Sequence, residues 1–204
     1  MRDSYLTIEH DSEGFYKEKG SKFIAFAYPV QSEEDIREKL EALRKEYYDA
    51  RHHCYGYIYG NDGVHFRAND DGEPGHSAGD PILGQIKSRE LTNTLVVVIR
   101  YFGGTKLGVS GLIGAYKTAA SEALDANKIV KREISQKFRF TFPYEEMNAV
   151  MKLVKDLDLK VLGQGYETQC TLDVEVIVSK VEMLESKAEL MQKMGQGLRL
   201  KNLI

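Results

Sequence analysis

Hydrophobic and polar positions alternate most regularly in the last third of the chain. Phe138, Phe140 and Phe142 are separated by polar residues, and this period of two predicts a half-buried strand that ends at Pro143. Apolar residues then recur three or four positions apart, as in the buried stripe of an amphipathic helix: Met147, Val150, Met151, Val154 and Leu157. A strand followed by a helix is therefore expected here.

Four further elements are expected before the end of the chain. Strands are predicted around residues 159–162 and over residues 172–178, where Leu and Val alternate with polar residues. Ser179 and Glu182 have the spacing of a capping box and predict a helix that ends at Gly195 and Gly197. A strand over residues 198–203 completes the order βαββαβ, which is the ferredoxin-like order.

The first 134 residues have a less regular pattern that indicates an α/β or α+β unit of its own. Residues 22–30 predict a strand, and the apolar run at residues 95–99 is typical of a central strand buried on both faces. Alternating tyrosines before an Asn-Asp-Gly turn at residues 61–63 predict a hairpin. Helices are predicted after a cap at Ser32 and over residues 111–126. The change of pattern near residue 134 predicts two domains, residues 1–134 and 135–204.

Composition and charge narrow the classes of function. The chain has 204 residues, of which 42% are hydrophobic and 29% charged, so it can bury a core and is neither disordered nor collagenous. The net charge is -3 and neither predicted domain is basic, so nucleic-acid binding would need a local cationic patch. Two cysteines are too few for a disulfide framework, and no apolar run is long enough to span a membrane. We expect a soluble protein of the reducing cytoplasm.

A glycine-rich stretch between the predicted central strand and the next helix is the strongest candidate for chemistry. Glycines let backbone N–H groups turn toward one point, and a helix N-terminus is partially positive, so the stretch indicates an anion site. Arg100 and Lys106 are candidate phosphate partners, and Tyr101 and Phe102 are candidates for stacking on a base. The remaining positions of this candidate site are Gly103, Gly104, Gly108 and Ser110. The complete P-loop motif is absent, and tight turns or close packing would also explain the glycines.

A second cluster contains residue types that bind metals or perform acid–base chemistry. His52, His53 and Cys54 adjoin a predicted strand. An acidic turn follows, and the further members of the cluster are Asp70, Asp71, Glu73 and His76. Neighbouring residues of a strand point to opposite faces, so His52 shares a face with Cys54 and not with His53. Cys54 is either a buried apolar residue or a nucleophile. The carboxylates of the turn could hold Mg²⁺ beside a bound phosphate, although Asp, Gly and Pro are also ordinary turn residues.

Three motifs, in this order, resemble the YigZ/IMPACT family. They are Arg-His-His-Cys-Tyr at residues 51–55, Asn-Asp-Asp-Gly-Glu-Pro-Gly-His-Ser-Ala-Gly-Asp-Pro-Ile-Leu at residues 69–83, and Val-Ile-Arg-Tyr-Phe-Gly-Gly-Thr-Lys-Leu-Gly at residues 98–108. The resemblance covers essentially the whole chain and points to a bacterial two-domain member. Gly114 stands where the family often has an arginine, which removes a cation beside the candidate anion site, and a protonated His76 could partly compensate.

The resemblance implies an α+β fold and a field of function. It implies a ribosomal-protein-domain-2-like α/β sandwich for the first domain and a ferredoxin-like domain, similar to domain V of elongation factor G, for the second. Eukaryotic IMPACT proteins are translational regulators. The leading hypothesis is therefore a non-enzymatic regulatory protein that binds RNA, the ribosome or a translation factor. Arg100 and Lys106 would neutralise the phosphate of such a partner. Stacking on its bases or hydrogen bonds to it would come from Tyr101, Phe102 and His52.

Two other functions stay open from the sequence. One is a small-molecule hydrolase for a phosphorylated or peptidic substrate, with Glu73, His52 or His76 as acid–base groups and Cys54 as a nucleophile. The other is a protein-interaction module in which the C-terminal sheet pairs with a partner.

Overall fold

A computed structural model describes residues 3–203, which form two compact units. Residues 5–132 make the larger unit, and residues 133–203 together with residues 3 and 4 make the smaller one. Each unit combines helices with an antiparallel sheet, so the α+β class predicted from the sequence is confirmed. Within residues 3–203, no helix is long and apolar enough to cross a membrane.

The larger unit is built on a five-stranded sheet with the strand order β2-β3-β6-β4-β5. Its strands are β2 (Ser12–Glu18), β3 (Ser21–Pro29), β4 (His52–Tyr59), β5 (His65–Asn69) and β6 (Thr94–Tyr101). Its helices are α1 (Glu33–Glu46), α2 (Gly79–Ser88) and α3 (Gly108–Asp125). Two more strands, β1 (Ser4–Ile8) and β7 (Ile129–Glu133), pair in a separate two-stranded sheet.

Helices cover both faces of the five-stranded sheet, and β6 lies at its centre. Residues 95–99 are fully buried, as predicted for a central strand. Val96 and Val98 pack with α2 and α3, whereas the residues that alternate with them pack with α1. The same alternation directs Arg100 to the α2 and α3 side and Tyr101 to the α1 side.

The smaller unit has the predicted order of strands and helices. Its elements are β8 (Ser135–Phe142), a 3₁₀ turn (Tyr144–Glu146), α4 (Met147–Asp156), β9 (Lys160–Tyr166), β10 (Cys170–Ile177), α5 (Val178–Lys193) and β11 (Arg199–Leu203). The four strands form one antiparallel sheet in the order β11-β8-β10-β9. Phe138, Phe140 and Phe142 are buried with Val150 of α4 and Leu184 of α5, so one face of the sheet packs on the two helices.

The predictions for three helices are wrong in detail: a cap in α5, the buried stripe in α4 and the first residue of α3. Ser179 lies inside α5, whose N-cap is Ile177, so the expected capping box does not form. In α4, Met151 is 43% exposed and Leu153 is buried in its place. Helix α3 begins at Gly108, three residues before the predicted start at residue 111.

Candidate functional site

The acidic turn between β5 and α2 is held by the carboxylate of Asp70. Its oxygens accept backbone N–H groups from His76 at 2.8 Å, Ala78 at 2.9 Å and Gly79 at 2.8 Å. Burial opposes ionisation of Asp70, but these backbone donors outweigh burial and lower its pKa. Asp70 therefore caps the start of α2 from a distance, since Ala78, the N-cap residue, has no side chain that could do so.

Asp71 ties the same turn to the beginning of β4. Its Oδ2 accepts the backbone N–H of His53 at 2.7 Å, and its carbonyl oxygen lies 2.8 Å from Nδ1 of His52. A carbonyl oxygen only accepts hydrogen bonds, so Nδ1 of His52 carries the proton and Nε2 is the other ring nitrogen available for chemistry. That Nε2 lies 4.0 Å from Oε1 of Glu73. The carboxylates proposed for Mg²⁺ are thus engaged in building the turn.

Glu73 and Arg100 form a buried ion pair beneath this turn. Oε1 of Glu73 lies 2.6 Å from Nη1 of Arg100 and accepts the hydroxyl of Tyr116 at 2.8 Å. The side chains of Glu73 and Arg100 are 4% and 8% exposed. The pair joins the acidic turn to β6, and Tyr116 adds α3 to the same network.

Cys54 belongs to this network as a hydrogen-bonding thiol. Its Sγ donates to the carbonyl oxygen of Asp70 at 3.0 Å and lies 3.4 Å from the hydroxyl of Tyr116. Burial raises the pKa of the Cys54 thiol strongly, and burial likewise raises the pKa of Tyr116. Of the two alternatives for Cys54, the structure therefore favours a buried residue over a nucleophile, because the thiol is enclosed and burial disfavours its ionised form.

The guanidinium of Arg100 is enclosed by two aromatic rings. Its central carbon lies 5.7 Å from the ring centroid of Phe23 and 5.7 Å from that of Phe102. Nε of Arg100 is buried and has no hydrogen-bond partner among residues 3–203. Phe102, in contrast, is 60% exposed. Arg100 therefore supports an aromatic ring at the surface.

The segment from Phe102 to Ser110, which we call the loop surface, continues from this ring. Lys106, Gly108 and Ser110 are exposed, and Gly104 and Gly108 have positive φ angles of 89° and 73° that favour glycine. The N-cap residue of α3 makes no side-chain hydrogen bond to the first turn of the helix. The amides of this turn are therefore not capped by that residue, at the end of the helix where an anion is favoured.

Gly103 has a packing role within the loop surface. A Cβ atom at this position would overlap the backbone of Gly20, in the turn between β2 and β3. Its N–H also donates to Oγ of Ser21 at 3.2 Å. Close packing therefore explains this glycine.

Tyr101 does not join the loop surface. Its hydroxyl donates to Oδ1 of Asp49 at 2.7 Å, on the α1 side of the sheet. That hydrogen bond raises the pKa of Tyr101 to about 12. Tyr101 and Phe102 thus lie on different sides of the sheet, and the structure does not bring them together to stack on one base.

His76 is exposed and already has an anionic partner. Its Nδ1 lies 2.6 Å from Oδ2 of Asp80, and this hydrogen bond raises its pKa. A protonated His76 is therefore paired with Asp80, which reduces what it could offer to a second anion. Among residues 3–203, no three His, Cys, Asp or Glu side chains are grouped to hold a metal ion.

The structure brings most of the predicted site residues together. His52, Asp71, Glu73, Arg100 and Phe102 form one connected cluster, and Lys106 and Ser110 follow Phe102 along the loop surface. Sequence reasoning missed Tyr116 and Phe23 as parts of the cluster. The spacing of Tyr116 matches the apolar stripe of α3, so the sequence alone indicates only a packing residue at this position.

Comparison with known proteins places this cluster in a family. The profile of the Impact N-terminal domain matches residues 19–124, a range that contains every candidate site residue. The chain belongs to the IMPACT family. An IMPACT family member from Bacillus subtilis, YvyE, is 39% identical over 134 residues, which are 66% of this chain and 62% of the relative.

Two further comparisons extend the similarity beyond the matched N-terminal domain. An IMPACT family member from Haemophilus influenzae is 31% identical over 83% of both chains. A crystal structure described as that of a hypothetical protein is similar with a TM-score of 0.71 and 27% identity, covering 100% of this chain and 99% of that one. The resemblance inferred from the three motifs is therefore confirmed.

Proposed function

We propose that this IMPACT protein is translation-associated and binds RNA through the loop surface. The observation that carries the proposal is the position of Phe102, an aromatic ring 60% exposed and supported from below by the buried guanidinium of Arg100. Single-stranded RNA binds proteins by stacking unpaired bases on such rings while cationic groups hold its phosphates. The translational role of eukaryotic IMPACT proteins supports RNA or an RNA-containing assembly as the partner.

The groups around Phe102 supply complementary contacts for phosphate. Lys106 is an exposed cation four residues further on, and the amides of the first turn of α3 follow directly. Hydrogen bonds from these amides and the positive end of the helix dipole would favour an anion there. The charge of Arg100 is compensated by Glu73, so Arg100 positions Phe102 instead of neutralising phosphate itself.

The folds of the two units support the same field of function. The order β11-β8-β10-β9 with βαββαβ connectivity fits a ferredoxin-like domain similar to domain V of elongation factor G. For the larger unit we propose the ribosomal-protein-domain-2-like sandwich that the family resemblance implies. A shared fold is a weaker argument than the site itself.

The test compares the loop surface with a matched aromatic and lysine pair elsewhere. The double variant Phe102→Ala, Lys106→Gln should bind a fluorescein-labelled single-stranded RNA about 1–3 kcal/mol more weakly, because one stacking contact is lost. Its salt dependence should fall by about 0.7 in slope for one phosphate contact. The control is Phe15→Ala, Lys17→Gln on β2, where Phe15 is 50% exposed and Lys17 lies 5.2 Å from its ring. Equal losses in both variants, or none in the first, would overturn the proposal.

One observation keeps a hydrolase as a second candidate. Nε2 of His52 faces Oε1 of Glu73 at 4.0 Å, and the His52 side chain is 24% exposed. This imidazole could exchange protons with a bound substrate. The test is a panel of phosphate esters and peptides, assayed with the wild-type chain and with His52→Ala. The hydrolase candidate requires that the wild-type chain hydrolyses at least one of these substrates and that the variant does not.

A further inference from the structure

The sheet of the smaller unit has one face on which charged side chains take the place of helices. The register of the four strands aligns three rows across this face: Leu203, Lys137, Glu175 and Lys160; Lys201, Arg139, Asp173 and Gly163; Arg199, Thr141, Thr171 and Gly165. Directly opposite residues point to the same side of a sheet. The residues between them, such as Phe138 and Val174, are buried against α4 and α5. We call these twelve positions the open sheet face.

The cations of the open sheet face divide into paired and unpaired groups. Both carboxylate oxygens of Asp173 are bonded by Arg139, at 2.6 and 2.7 Å, and Glu175 is paired with Lys160 at 2.9 Å. The two carboxylates of the face are thus occupied. Lys137, Arg199 and Lys201 are exposed, and none of them makes an ion pair with a residue in the range 3–203.

Charge in residues 135–203 is segregated between this face and the rest. The open sheet face carries five cations and two carboxylates, whereas the helices and loops carry five cations and eight carboxylates. A segment with equal numbers of each sign therefore presents a net charge of +3 on one face. Such a concentration raises the local density of polyanions even when the whole molecule is slightly negative.

The shape of the face suits an extended chain of phosphates. Arg199 and Lys201 are alternate residues of an edge strand, roughly 6.6–6.8 Å apart, and Lys137 lies on the neighbouring strand. On the opposite edge, Gly163 and Gly165 occupy two of the three outward positions, and Lys160, which occupies the third, is paired with Glu175. The face therefore combines a row of cations with a flat border.

We infer that the open sheet face is a second RNA-binding surface, which holds the phosphate backbone through Lys137, Arg199 and Lys201. The charge of the face identifies a polyanion, and the choice of RNA among polyanions rests on the proposed function. The loop surface lies in the other unit and contributes a base-stacking ring, whereas this face has no aromatic side chain among its twelve positions. Its binding is therefore electrostatic and insensitive to base sequence.

The experiment removes the three cations from the full-length chain. The face variant is Lys137→Gln, Arg199→Gln, Lys201→Gln, and the control is Lys152→Gln, Lys155→Gln, Lys193→Gln, three exposed lysines of α4 and α5 that change the net charge equally. Binding of a labelled 20-nucleotide single-stranded RNA is measured from 50 to 200 mM salt. The slope of log K against log salt is negative, and in the face variant it should be less steep by about 2, because three phosphate contacts contribute about 0.7 each. Over this range, wild-type affinity should then drop about 20-fold more than that of the face variant.

The outcomes separate this inference from the proposed function. An unchanged slope in the face variant, or an equal change in the control, overturns the inference. If RNA affinity decreases only in the Phe102→Ala, Lys106→Gln variant, the result supports binding at the loop surface and overturns binding at the open sheet face. If RNA affinity decreases only in the face variant, the result supports binding at the open sheet face and overturns binding at the loop surface. If the wild-type chain binds no RNA, both are overturned. All substituted residues are exposed, so thermal unfolding of each variant should stay close to that of the wild type.

Discussion

Glu73 is the residue that joins the acidic turn, the central strand and α3. Its carboxylate receives Arg100 and Tyr116 in a region where neither charged side chain is more than 8% exposed. A buried ion pair adds little by itself, but removing one partner leaves a buried charge without compensation. The stability of the larger unit should therefore depend strongly on this one side chain.

The substitution Glu73→Ala should lower the free energy of unfolding by about 3–5 kcal/mol. Urea denaturation followed by circular dichroism measures the change. Glu38→Ala, at an exposed position of α1, is the control and should change stability by less than about 0.5 kcal/mol. A loss below about 1 kcal/mol in Glu73→Ala would show that the ion pair is dispensable.

The carboxylate of Asp70 makes the free energy of unfolding depend on pH in the acidic range. Its pKa is lower in the folded chain than the ordinary value of 3.8, so its contribution is present above that value and disappears as the pH falls through the folded pKa. Asp70→Asn should remove this part of the acid dependence while keeping a side chain of similar size. Unfolding free energies of both chains, measured between about pH 5 and pH 2, should converge at the acidic end. Parallel curves would contradict this assignment.

Strand alternation could have predicted more of the site than it did. Arg100 and Tyr101 are adjacent in β6, so they must point to opposite faces, and only one of them can lie with Phe102. The contact between Glu73 and Arg100, in contrast, spans 27 positions of the chain. No local pattern specifies such a pair, because it depends on how the turn before α2 folds over the sheet.

At the scale of elements, β2 and α3 approach each other at a single glycine. A Cβ on Gly14 would overlap the backbone nitrogen of Ala123 in α3. Gly114, on the exposed side of the same helix, has no atom within 4 Å of the position of a Cβ. The two glycines therefore have opposite roles.

Alanine at these two positions should shift stability in opposite directions. Gly14→Ala should destabilise the chain by about 1–3 kcal/mol, because strand and helix must separate to admit a methyl group. Gly114→Ala should stabilise it by about 0.5–1 kcal/mol, because glycine in the middle of a helix is entropically costly. Thermal and urea unfolding measure both changes, and shifts of the same sign would refute this account of the packing.

Elements with a regular buried stripe and no helix-breaking residues were predictable from the sequence, and two other elements were not. Helix α1 begins as expected, with Oγ of Ser32 accepting the N–H of Asp35 at 3.1 Å. Strand β2 was not predicted, because it lies at the sheet edge, where three of its seven residues are exposed and none is buried. Helix α2 was also not predicted, since its sequence contains Pro81 and Gly84, although proline is tolerated in the first turn of a helix.

At the scale of the molecule, the hydrophobic cores of the two units share no residue. The larger unit has a core on each face of its sheet, and the smaller unit has a separate core between its sheet and α4 and α5. The domain limits 1–134 and 135–204 remain a prediction that follows from this separation. Each part should fold without the other.

Expression of residues 1–134 and 135–204 as separate chains tests these limits. Each fragment should unfold cooperatively in urea, and the sum of their far-ultraviolet circular dichroism spectra should match that of the whole chain. A fragment that lacks a cooperative transition would show that its core depends on the rest of the molecule.

The pairing of β1 with β7 brings the two ends of the larger unit close together. The N–H of Glu9 donates to the carbonyl oxygen of Lys128 at 3.0 Å, so the chain enters and leaves the unit at neighbouring points. A unit whose ends lie together can be inserted into a surface loop of another protein or circularly permuted without disturbing its core. Gene fusion could therefore join this unit to unrelated domains, with the β1 and β7 pair at the junction.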